Sequence, residues 1–125
     1  MPATVNAELM KERTKHFALT VIHLCRSLPR SSESGIIIRQ LMRSATSVGA
    51  NYRAVCRARS TPDFVSKLGI VLEEADESLF WIELLVDAGI TSTDRVRFLR
   101  SEANELVAIF VASLCTAKHS RKSEI

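Results

Sequence analysis

Two groups of charged residues have the types and spacing to do chemistry. Arg39, Arg43, Arg53 and Arg57 recur along one predicted helix. Their line, completed by Thr46 and Ala50, steps by 3 and 4 and lies opposite the apolar face. At about 1.5 Å per residue it spans about 27 Å, enough to follow several phosphates of RNA or DNA. Glu73, Glu74 and Glu77 cluster in the next segment. Carboxylates on a bundle helix can hold metal, but that pattern requires Glu-x-x-His on facing helices. Glu74 is followed three residues later by Glu77, so these acids are read as partners for arginines. Three acids so closely placed cannot cover four spread arginines. The expectation is that Arg43 and Arg53 meet Glu74 and Glu77, leaving Arg39 and Arg57 accessible.

No other constellation points to catalysis. His16 and His23 are seven residues apart without a third ligand at helical spacing. Gly35, Gly49, Gly69 and Gly89 are isolated, so no phosphate-cradling loop is present. Cys25, Cys56 and Cys115 are odd in number, widely spaced and without a CxxC, which reads as reduced thiols in a cytoplasm rather than a disulfide framework or a zinc site. Cys56 stands near Arg53 and Arg57, but on a packed helix it reads as a small buried hydrophobe. The chain is therefore expected to be non-enzymatic, with no catalytic residue, metal, cofactor or small-molecule substrate.

The elements that must position these residues are four helices, at about 5–28, 34–59, 62–88 and 92–118. Met10, Phe17, Val21, Leu24 and Leu28 form the apolar seam of the first, and Pro29 stops it. Ile38, Leu41, Ala45, Val48, Tyr52 and Val55 form the second seam, flanked by the small residues Ser47, Ala50, Ala54 and Ala58. Phe64, Leu68, Val71, Ala75, Leu79, Ile82 and Val86 form the third; Val96, Leu99, Ala103, Leu106 and Phe110 form the fourth. Expected caps are Thr4 or Asn6, Ser32 or Ser34, Thr61 ahead of Pro62, and a Thr91/Asp94 capping box, with Gly89 as a left-handed stop. Short connections between such helices imply an all-α, up-down-up-down antiparallel four-helix bundle, a single domain over 1–125.

The composition agrees with that architecture. Gly 4 and Pro 3 in 125 residues leave few turns, which excludes a many-stranded sheet. Net charge is +3, a weak pull toward polyanions, but its distribution is uneven. Residues 34–59 hold five Arg and no acid, whereas 62–88 hold one Lys and seven acids. No apolar stretch approaches the length needed to span a membrane, and Met1 to Arg13 carries no signal-peptide pattern.

Leu79 to Val86 is apolar around nearly the whole helix. Ile70, Trp81 and Leu84 project away from the seam, on the side of Glu73, Glu74 and Glu77. A helix apolar all round must be buried all round, and in so small a bundle another subunit supplies that burial. These six residues are the expected oligomer interface.

Arg39 to Arg53 together with Lys67 to Leu85 resembles the bacterial four-helix-bundle proteins named after reading frames in intervening sequences of 23S rRNA genes (S23-type). The string Arg43-Ser-Ala, Val48-Gly-Ala-Asn-Tyr52 and the Glu-rich segment before Trp81 carry the resemblance. It implies a homo-oligomer, a ring of five bundles, and a more distant likeness to the accessory protein of diversity-generating retroelements, which works with a reverse transcriptase and RNA. It carries Arg43, Asn51, Tyr52, Arg53, Glu74 and Glu77 over as motif residues of structural or interface role. Ala54 departs from it, since relatives often have Glu there. Two readings follow: a self-assembling bundle that binds nucleic acid or a partner handling it, or a purely structural oligomeric interaction module.

Overall fold

The computed structural model describes residues 6–123. It contains four helices: α1 (Ala7–Ser27), α2 (Ser32–Val55), α3 (Thr61–Asp87) and α4 (Thr93–Ser123). Each packs on its chain neighbour, α4 closes back on α1, and the diagonal pairs do not meet. This is the up-down-up-down four-helix bundle. Among the described residues, no helix is long and apolar enough to cross a membrane.

Cap chemistry sets the helix starts. Asn6 caps α1, its Oδ1 accepting from the Glu8 and Leu9 amides at 2.9 and 3.2 Å; Thr4 lies outside the described residues. Ser31, not Ser32 or Ser34, caps α2. It exchanges two hydrogen bonds with Ser34: the Ser34 amide donates to Ser31 Oγ at 3.2 Å and the Ser31 amide to Ser34 Oγ at 2.8 Å. Ser34 is thus the reciprocal partner, and it is buried. Ser60, not Thr61, caps α3, because its hydroxyl accepts the Asp63 amide at 3.2 Å while Asp63 accepts the Arg59 amide at 3.1 Å. Ser92, not Thr91, caps α4 by accepting from the Arg95 amide at 3.3 Å. The Thr91 hydroxyl is buried without a partner, and Asp94 pairs with Arg97 instead.

Two helix ends differ in kind. After α3, Gly89 takes φ +73°, and the Ile90 and Gly89 amides donate to the Leu85 and Val86 carbonyls, each at 2.9 Å. This crossed pair is the Schellman stop that glycine allows without a Cβ clash. The second helix, expected to reach residue 59, ends at Val55. The Arg57 and Ala58 amides tighten onto the Ala54 and Val55 carbonyls, because the backbone must become extended at Ser60 to start α3. Arg57 therefore sits in the turn and not on the helix.

The expected seams of α1, α2 and α4 are buried, joined by Thr14, Ile37 and Leu114. The α3 seam is rotated relative to expectation. Ser78 and Leu85 are buried, while Phe64, Leu79 and Val86 only border the core. The cause is polar: Ser78 Oγ lies 2.9 Å from Ser44 Oγ and 2.8 Å from the Glu74 carbonyl. A buried hydroxyl left without these partners would cost about 1 to 3 kcal/mol. Close approach of α1 and α2 comes at Gly49, where an added β-carbon would stand 3.5 Å from the Thr14 carbonyl. The small-residue flank does not supply it, since Ala50 is exposed.

The α1–α4 seam is the least packed of the four, and a charged pair bridges it. Arg13 grips Glu102 through Nε and a terminal nitrogen, both bonds 2.7 Å, and reaches Glu105 at 3.3 Å. Glu102 is 6% exposed.

The cap assignment yields a direct test. Ser60→Ala is expected to lower stability by about 1 kcal/mol, while Thr61→Ala stays within about 0.5 kcal/mol of wild type. Thermal melts of the two variants decide it, and the reverse order would restore Thr61 as the cap.

Candidate nucleic-acid and assembly surfaces

The arginines of α2 divide by what they touch. Arg43 bonds Glu74 Oε2 at 3.1 Å and makes a short bond to Glu77 Oε1, forming a clamp across α2 and α3. Its Nε also donates to Gln40 at 3.3 Å. The Glu77 carboxylate accepts the Trp81 indole N–H at 3.2 Å, one turn along. Two donors on one carboxylate hold it below its ordinary value, the Arg43 bond contributing most.

Arg53, expected to share these acids, does not. It stands near the C-terminal end of α2, about 15 Å along the helix from Arg43, and makes no ion pair among the described residues. Arg39 lies back toward Gly35 on its own helix, and it too is exposed without an ion pair, as is Arg57 in the turn. No acid stands on this part of α2, since position 54 is Ala.

A neighbour that sequence reasoning missed is Lys15. Gly49 abuts the backbone of Thr14 and Lys15, which fixes the antiparallel register of α1 against α2. One turn further, Arg53 comes level with Lys11. Lys15 is exposed without an ion pair, and Lys11 is tied only to the exposed Glu8. The basic surface thus extends from α2 onto α1. Its signal in the sequence was the four-residue step from Lys11 to Lys15, which joins the strip only once the register is known.

The remaining motif residues are structural. Tyr52 is buried and stacks on Phe110 with ring centroids 6.0 Å apart; burial pushes its hydroxyl up to about 12. Asn51 donates to the Ser47 carbonyl at 2.9 Å, inside its own helix. Cys25 is the buried cysteine, its thiol pushed up to about 11 by desolvation. Cys56, expected to be buried, is exposed because α2 ends one residue before it.

On the outer side of α3, Ile70 and Glu73 are exposed, whereas Trp81 and Leu84 are half-buried and pack on the core. The exposed aromatic is Phe80, which meets Trp81 edge-on at 4.9 Å. Residues 79–86 are therefore apolar all round for two reasons. The bundle covers Trp81 and Leu84 in part, and Phe80 is left to solvent.

The clamp makes stability depend on pH with a defined sign. A carboxylate whose folded pKa is depressed stabilises above its unfolded value and loses that contribution as pH falls through the folded value. Arg43→Ala is expected to lower the urea midpoint at pH 7, and the gap to wild type should close below about pH 4. An equal gap at both pH values would assign the effect to lost packing of the arginine stem.

Comparison with known proteins fits this geometry. A protein of unknown function from the S23 ribosomal protein family of Bacteroides thetaiotaomicron has a crystal structure that superposes with a TM-score of 0.76 at 29% identity, covering 83% of this chain and 96% of that one. No curated protein matches the chain. The model of the family described as 23S rRNA-intervening sequence protein matches residues 9–112, which include the Arg43–Glu74–Glu77 clamp and the α1–α2 register, and the chain belongs to that family.

Proposed function

We propose that this protein is a non-enzymatic, self-assembling four-helix bundle that binds nucleic acid, RNA in the first instance, through the basic surface of α1 and α2. The observation that carries the reading is the split among the α2 arginines. Arg43 is neutralised by two acids, whereas Arg39 and Arg53 are exposed with none. Exposed ion pairs contribute only about 0 to 1 kcal/mol, so arginines left without even these are free to exchange counterions for phosphates. The family's description, which names an intervening sequence of 23S rRNA, favours RNA as the first ligand to try. Self-assembly is supported by the large apolar side chains left in solvent on α3, Ile70 and Phe80. The resemblance in α2 and α3 implies five copies.

Light scattering of the wild type at micromolar concentration is expected to return a mass several-fold above 13.9 kDa; a value at 13.9 kDa removes the self-assembly half of the reading. Trp81→Ala should lower the assembly state by unseating Phe80.

Filter binding of RNA and DNA to the assembled protein across a salt series tests the other half. The double change Arg39→Ala with Arg53→Ala should weaken binding and reduce the slope of log affinity on log salt by about 1.4 to 1.8. Assembly should survive, because neither side chain is held by another helix. If wild type binds no RNA or DNA and the double variant falls to monomers, the arginines are subunit contacts and the purely structural module is the better reading.

A further inference from the structure

The basic surface of α2 and α1 runs toward one end of the bundle, and that end is hollow. A cavity of about 530 Å³ opens there among the start of α1, the α2–α3 turn, the first turn of α3 and the last third of α4. Small-ligand sites commonly enclose about 300 to 1,000 Å³. Tyr52, Val55 and Phe64 supply apolar and aromatic surface to its walls, and Ser60, Ser113 and Thr116 supply hydroxyls. Tyr52 is buried and stacked on Phe110. Phe64 is only half-buried against the core, so its ring has area left for another flat group. Cys56 and Arg59 also line the cavity, and both are exposed, which places them at its lip.

The charge at this mouth is positive. Arg53, Arg57 and Arg59 are exposed and in no ion pair among the described residues. Arg53 precedes Cys56 by three residues, about 4.5 Å along the helix. The acids nearby are engaged. Asp63 accepts from the Arg59 amide at 3.1 Å and from Lys67 Nζ at 2.9 Å, and Glu8 pairs with Lys11. A larger cleft of about 830 Å³, between α1 and α4 and lined by Leu9, Met10, Arg13, His16 and Ile109, lacks this property. Its arginine is already gripped by Glu102.

We infer that the end cavity takes an unstacked base of single-stranded RNA whose phosphates lie on Arg53, Arg57 and Arg59. This rests on the nucleic-acid reading above and narrows its ligand from any polyanion to a strand with free bases. Single-strand binders add aromatic rings to a basic groove, because every base has a face that can stack. The arginine line of α2 has no aromatic residue interleaved with it. The fold supplies the ring from another helix: Phe64, one turn into α3, faces the cavity that the arginines border. The hydroxyls around it can donate to, or accept from, the edge of a base. A duplex keeps its bases paired and stacked, and has nothing to place in the cavity.

The test uses the wild-type protein as it purifies, a short single-stranded RNA, and the same RNA as a perfect duplex at matched salt. The single strand should bind more tightly than the duplex. Phe64→Leu keeps the bulk but removes the ring. It should weaken single-strand binding by about 5- to 150-fold, the range one stacked base supplies. Duplex binding and the salt slope should not move, since no charge is lost. Phe64→Tyr keeps the ring and should bind as wild type does. If Phe64→Leu fails to fold, Thr116→Trp, at an exposed position on the wall, fills the cavity and should have the same selective effect. Location is read independently from the thiols. Bound single strand should slow maleimide labelling of Cys56, whereas Cys115, exposed and outside the cavity, serves as the reference.

Equal binding of single strand and duplex, equal loss of both in Phe64→Leu, or binding that leaves Cys56 labelling unchanged overturns the cavity inference while nucleic-acid binding stands. Protection of Cys56 by a nucleoside monophosphate but not by the strand overturns it too, and makes the cavity a small-molecule site. A wild type that binds neither RNA removes the nucleic-acid reading itself, and this inference with it.

Discussion

The contact between α2 and α3 determines most of what the molecule presents to its surroundings. It is the most extensive helix pairing in the bundle, and at its centre two buried serines, Ser44 and Ser78, face each other at 2.9 Å. A hydroxyl pair in an apolar seam is specific in a way that leucine packing is not. Sliding either helix by a turn would leave each hydroxyl only the carbonyl of its own helix, Leu41 for Ser44 and Glu74 for Ser78, and forfeit the bond between them, about 0.5 to 1.5 kcal/mol. With Ser44 set against Ser78, the acids that Arg43 reaches are Glu77, next to Ser78 in the chain, and Glu74, one turn before it. Ten residues further along α2, Arg53 has no acid to meet. The exposed positive charge of this protein is a by-product of a register set in the core.

Much of this was legible in the sequence, and the misses share a cause. Apolar residues at steps of 3 and 4 identify a helix face well, so the seams of α1, α2 and α4 and the bundle itself follow from them. Gly89 was legible because a positive φ demands it. The phase of α3 was not, because Leu79 and Val86 extend a heptad as well as Ser78 and Leu85 do. Hydrophobicity alone prefers the former, and a hydrogen bond to another helix decides for the latter. Ser60 and Thr61 are equally good caps by type; which one wins depends on Asp63 returning a bond to the Arg59 amide. Arg57 reads as helical only while the reversal into α3 is ignored. The Arg13–Glu102 tie joins residues 89 apart in the chain, and no local pattern announces it.

That tie also explains why the α1–α4 side is polar and open while the α2–α3 side is tight. The terminal helices share the loosest seam, and it carries a gripped carboxylate where the α2–α3 seam carries a hydroxyl pair. A buried ion pair contributes little net stability, since desolvation offsets its attraction, but removing one partner strands the other. Arg13 is the better-solvated partner and has Glu105 within reach, whereas Glu102 depends on Arg13. The pair therefore acts as an alignment device. It holds α1 level with α4 without the close packing that would have filled the cleft beside it and covered Leu9 and Ile109.

The two proposed activities use different parts of this surface, and that separation makes them compatible. The free arginines lie on α2 and the basic surface continues onto α1, while the exposed apolar residues Ile70 and Phe80 lie on the outer side of α3. A copy engaged through Ile70 and Phe80 still exposes Arg53 and Lys15. Repetition then matters more than the affinity of one copy. A single bundle offers only a few phosphate contacts, each adding close to one unit of salt dependence, which is weak binding at physiological ionic strength. Copies held in a fixed arrangement present those contacts at high effective concentration to one strand, so avidity can exceed the single-site affinity by about 100- to 10,000-fold. On this argument a stably monomeric variant with every arginine intact binds a long RNA far more weakly than the wild type, yet binds a fragment of a few nucleotides equally well.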